Sequence, residues 1–105
     1  MAKRWTKADL LNAIRTVEIK LGEMPPFPTG GEWKELIAAR EKWWRDAEQL
    51  LQSLESCGAG LSSGSNGTDR RLHFGGVGAT STCGAQSLMH NWLRAARKRL
   101  ETMEA

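Results

Sequence analysis

The chain has no tyrosine, two cysteines and three prolines, and no Asp or Glu between Arg70 and Leu100. Each scarcity excludes something. Cys57 and Cys83 cannot build a disulfide framework, and with His73 and His90 their spacings match no compact Cys/His zinc signature. No apolar run approaches membrane-spanning length, and the start, MAKRWTKADL, does not resemble a secretory signal. The chain is therefore expected to be synthesised in the cytoplasm, with reduced thiols. The prolines stand together in EMPPFPTGG, which forces extended backbone there and leaves the flanking segments free to be helical. The Asn66-Gly67-Thr68 triplet matches a glycosylation acceptor, but without secretion it marks only a surface turn.

What is present is tryptophan, glycine and one-sided charge. Five tryptophans accompany two phenylalanines, and eight of eleven glycines lie between Gly58 and Gly84. The net charge of +3 is uneven: nine basic and nine acidic residues cancel up to Cys57, whereas beyond it six Arg/Lys face three Asp/Glu. Such a basic half suits an anionic partner.

A mainly α (α+β) single domain of 105 residues is expected: a helical hairpin, a third C-terminal helix, and a Gly-rich segment carrying a short β-hairpin. The first helix, over 5–21, places Leu10, Ile14, Val17 and Leu21 on one face with Leu11 beside them. Thr6 and Asp9 read as a capping box and Gly22 as the stop. Phe27, in the proline connector, is expected to tuck into the core.

The second helix, over 32–55, is read as the pillar of the fold. Leu36, Trp43, Leu50; Ile37, Trp44, Leu51; and Trp33, Arg40, Ala47, Leu54 form three heptad columns. They make one wide apolar stripe on a rod of roughly 35 Å. Thr29 and Glu32 are expected to cap it, and Glu41 with Arg45 to pair across one turn. Arg40 interrupts the stripe. Its stem is expected along the stripe with its head in water, the sharper alternative being an ion pair to a partner subunit.

Over 56–84, GAGLSSGSNG reads as a flexible linker. Arg71-Leu72-His73-Phe74, Gly75-Gly76 and Val77-Gly78-Ala79-Thr80 read as a two-residue hairpin. A hairpin alone is marginal in water, so Leu72 and Phe74 must lie on the helices or on a neighbour. The third helix, over 85–103, carries Leu88, Met89, Trp92, Leu93, Ala96, Leu100 and Met103 on its apolar face.

Enzymatic chemistry finds little support. Cys83 near the start of the third helix has the setting of a lowered thiol pKa, but His90 stands two turns away, beyond a direct hydrogen bond. No pair of carboxylates converges in the glycine-rich region. Gly76-Val77-Gly78 lacks the third glycine of a dinucleotide loop, and no Gly-Lys-Ser/Thr follows a glycine run. No catalytic residue, metal, cofactor or small-molecule substrate is therefore assigned, and no membrane contact.

The strongest functional signal is the basic set Arg70, Arg71, Arg94, Arg97, Lys98 and Arg99, with His73 and His90 as auxiliaries. It suits phosphate or an acidic protein surface; the plainer account is a solvated helix face plus a solvated turn. Trp33, Trp43, Trp44 and Trp92 are most simply read as core, and Trp33, Trp43, Trp44, Leu72 and Phe74 are the candidate self-assembly residues. Trp43 and Trp44 point about 100° apart, so one of them is free to meet another chain.

The stretch 66–101 resembles the small head-to-tail joining proteins of tailed bacteriophages, the gpW-like family. The likeness lies in a glycine turn, a Thr/Ser-rich approach, the basic strand Arg70-Arg71-Leu72-His73-Phe74, and an amphipathic helix ending in Arg97-Lys98-Arg99-Leu100. The order helix, β-hairpin, helix is similar too; the long tryptophan-rich helix and the longer glycine linker depart from it. The resemblance implies a ring-forming neck subunit that binds portal and tail components around a DNA channel. A self-assembling connector subunit of the host cytoplasm or virion, with its basic face toward DNA or an acidic partner, is the first expectation. The alternative is a small phage- or plasmid-encoded protein that inhibits a host defence or nucleic-acid enzyme.

Overall fold

A computed structural model describes residues 5–63, 69–82 and 84–104. Its elements are α1 (Lys7–Gly22), α2 (Trp33–Ser53), a 3-10 turn (Leu54–Cys57), β1 (Gly60–Ser63), β2 (Arg70–Phe74), β3 (Val77–Ser81) and α3 (Ala85–Glu104). Three helices and one antiparallel sheet of order β1-β2-β3 give the expected mainly helical α+β fold.

Local chemistry sets most boundaries. Thr6 opens α1 through a complete capping box: its hydroxyl accepts from Asp9 N–H at 3.1 Å, and Asp9 Oδ2 accepts from Thr6 N–H at 2.9 Å. At α2 the expected cap is not made. Glu32 is the N-cap and makes no side-chain cap bond, because Gly30 and Gly31, at φ 79° and 90°, turn the chain between Thr29 and the helix. Gly58, at φ 101°, closes the 3-10 turn, and Ala59 N–H donates to Leu54 O at 3.1 Å.

The hairpin forms in the expected register, with Phe74 opposite Val77 and Leu72 opposite Ala79. Gly75 and Gly76 both have positive φ, as a two-residue type I′ turn requires. Gly78 does not break β3. The His73 imidazole lies over it, and a Cβ there would come within 2.8 Å of that ring. The linker reading needs correcting at its start: residues 60–63 are a strand, with Leu61 paired to Leu72. Alternation had no purchase on Gly-Leu-Ser-Ser, which holds a single large apolar residue. The rest of that linker, residues 64–67, and the surface turn expected at Asn66-Gly67-Thr68 lie outside the described residues.

The centre of the molecule is α3, not α2. It carries the inner face of β2 and β3 on one side and packs against α1 and, less extensively, α2. Leu88, Met89 and Trp92 are fully buried with Leu10, Val17, Leu51, Leu54 and Leu72. α1 and α2 touch only sparingly, and each leans on α3. The stripe on α2 is therefore used unequally. Trp43, Ala47, Leu51 and Leu54 enter the core, while Trp33, Ile37 and Trp44 stay exposed. The chain measures 51 × 29 × 23 Å, and its radius of gyration of 15.3 Å exceeds the roughly 13 Å of a compact domain this size.

Candidate protein-interaction surface

The proline connector folds back along the first half of α2 and explains which of its residues are satisfied. Trp43 is buried, and its indole N–H donates to Pro25 O at 2.8 Å. Phe27 stands edge-on to Trp43, ring centroids 5.0 Å apart, and to Trp44 at 6.0 Å. It caps this aromatic group from outside and stays 40% exposed, so it is not the core residue expected. Arg40, half-buried, turns its head onto the connector. Its guanidinium lies 4.9 Å over the Phe27 ring and its Nε donates to Pro28 O at 3.2 Å. The proline segment's free carbonyls thus find partners on α2, which fixes the connector against it.

The other flank of the stripe stays open. Trp33 is 68% exposed, Trp44 46% and Ile37 39%. At 100° per residue these three fall within about 40° of one another, along a line of about 16 Å. The inner edge of Trp44 rests on Gly84, where a Cβ would approach its ring to 2.9 Å, and on Trp43, centroids 5.0 Å apart. Glu41 and Arg45, expected to pair, do not; the ion pair formed there is Lys42–Asp46 at 3.0 Å.

Of the residues nominated for self-assembly, only Trp33 and Trp44 remain available. Trp43, Leu72 and Phe74 are buried within the protomer, Phe74 against Trp92 with centroids 5.6 Å apart. The hairpin found its apolar cover on α3 of its own chain. Ile37 was visible in the heptad columns, but periodicity alone could not separate its open flank from the flank that the connector covers.

The basic set is dispersed. Arg70 lies on the inner side of β2 and its Nη1 donates to both carboxylate oxygens of Glu48 on α2. Arg71 and His73 project from the outer face of the sheet, where Asp69 stands 3.8 Å from Arg71. Arg94, Arg97 and Lys98 share the outer face of α3 with His90 and Glu101, lining an open groove of about 510 Å³. Arg97 pairs with Glu18 of α1 at 3.5 Å. Arg99 points elsewhere, toward Trp5, Gly76 and Met103. One cationic face of three residues survives from the six.

Among the described residues no three His, Cys, Asp or Glu side chains converge on a common point, and no helix is long and apolar enough to cross a membrane. Cys57 is an exposed free thiol; Cys83 lies outside the described residues. No family model, curated protein or solved structure matches the chain.

Proposed function

We propose that this chain is a non-catalytic assembly protein that joins other protein subunits, copies of itself first, through the N-terminal half of α2. The observation that carries this is the exposed stripe Trp33, Ile37 and Trp44 on α2. Exposed aromatic residues set around a helix line are typical anchors of protein interfaces. Together with the resemblance of 66–101 to phage joining proteins, this favours a structural connector (head-tail joining or neck) subunit of a tailed bacteriophage. In that role Arg94, Arg97 and Lys98 face DNA backbone or an acidic partner, in the host cytoplasm or in the virion. The test is the solution mass of the full chain, alone and mixed with candidate neck proteins. Assembly supports the proposal; a strict monomer that joins none of them ends it.

The outer face of α3 favours one alternative, a small phage- or plasmid-encoded protein that occludes a host defence or nucleic-acid enzyme with that groove. Charge reversal at Arg94, Arg97 and Lys98 then abolishes inhibition while the helices persist by circular dichroism. Unchanged inhibition rejects it.

A further inference from the structure

The open flank of α2 is bordered by charges that suit one particular occupant. Lys34 and Glu41 are exposed and lie about 20° apart on the helix, immediately beside the Trp33–Ile37–Trp44 line. Among the described residues neither forms an ion pair. Set a second α2 antiparallel on the first, with each Trp33 over the other's Trp44. The Ile37 side chains then meet near the two-fold axis, and each Lys34 comes within about 3 Å, along the axis, of the level of the other chain's Glu41. Both pairs are attractive. A parallel two-fold pairing instead puts the two Lys34, and the two Glu41, on opposite edges of the seam, where neither charge meets the other.

We infer that the N-terminal halves of α2 from two copies of this chain pack antiparallel about a two-fold axis, with Trp33 of each covering Trp44 of the other and Lys34 paired to Glu41 across the seam. The inference rests on the assembly reading above and adds to it the partner, its direction and a closed symmetry. A two-fold contact uses one patch on both copies and is therefore complete at two, unlike a ring-forming contact. The area is adequate. At the usual size of these side chains the three residues expose roughly 350 Å² of apolar surface per copy. Across a pair that is roughly 700 Å², the apolar share of an interface near the lower size limit for stable association, ~1,200 Å².

The test is sedimentation equilibrium of the full chain at low ionic strength, comparing wild type with Lys34→Glu, Glu41→Lys, the double variant, and an equimolar mixture of the two single variants. Both positions are exposed on a formed helix, so the fold should survive, which circular dichroism checks. Wild type should dimerise. Each single variant, carrying two like-charge contacts, should dimerise about tenfold more weakly. The double variant and the mixture should both recover wild-type affinity. A dimer or larger assembly indifferent to these reversals overturns the antiparallel pairing and leaves the assembly reading standing. A monomer at every concentration overturns the two-fold pairing and the self-association, and the assembly reading falls with it only when mixing with candidate neck proteins also leaves the mass unchanged.

Discussion

Trp92 donates its indole N–H to Val77 O at 3.0 Å, sharing it with Phe74 O at 3.2 Å, the two residues that flank the Gly75–Gly76 turn. The ring is fully buried on α3, so one side chain both fills the core and ties the hairpin's closed end to the central helix. Trp92→Phe keeps an aromatic ring but removes the donor. It should destabilise the chain by about 2–3 kcal/mol, from lost hydrogen bonds to buried carbonyls and a partial cavity. Urea unfolding measures this, with an unchanged denaturant slope if folding remains cooperative.

The same turn sits against α1. A Cβ at Gly75 would lie 2.9 Å from Ala13 Cβ, and φ there is +61°. Gly75→Ala should cost about 2–3 kcal/mol, combining left-handed backbone strain with a contact that two packed elements cannot relax. Thermal denaturation should register it as a clear fall in Tm. Gly22→Ala serves as the control, since nothing lies within 4 Å of a Cβ there.

The sequence disclosed the hairpin and the α1 cap because both depend on short-range chemistry: two glycines between alternating strands, and a Thr with an Asp three residues on. It also disclosed the heptad stripe, since periodicity is local. It did not disclose which element the stripe packs on. α2 has the longest apolar pattern, yet α3 became the centre because Trp92 ties it to the hairpin and both other helices pack on α3. Nor could it reveal that the proline segment returns along α2, since the bonds from Trp43 to Pro25 O and from Arg40 to Pro28 O join residues eighteen and twelve apart. Arg70 entered the basic set for the same reason: its partner, Glu48, is distant in sequence.

Trp44 marks the border between the satisfied and open halves of the stripe. Gly84→Ala would place a methyl 2.9 Å from its ring at φ +102°, so the indole must swing outward. Tryptophan emission should shift to the red, and near-ultraviolet circular dichroism from the Trp43–Trp44 contact should weaken, with helix content nearly unchanged. An identical spectrum would place Trp44 away from Gly84.

Trp33, the most exposed large apolar residue among those described, makes the cleanest separation between stability and association. Trp33→Ser should alter protomer stability by no more than about 0.5 kcal/mol, as expected for a surface position, while self-association falls at least severalfold. Guanidinium unfolding at low protein concentration checks the first outcome, and analytical ultracentrifugation the second.

The claim beneath all of this is that the first half of α2 carries apolar surface that its own protomer leaves uncovered. Light-scattering mass of the full chain over a concentration series tests it most directly. A mass that climbs from the 11.6 kDa protomer with concentration, and does so less in Trp33→Ser, is the predicted result. A mass fixed at 11.6 kDa throughout, identical in the variant, would contradict it.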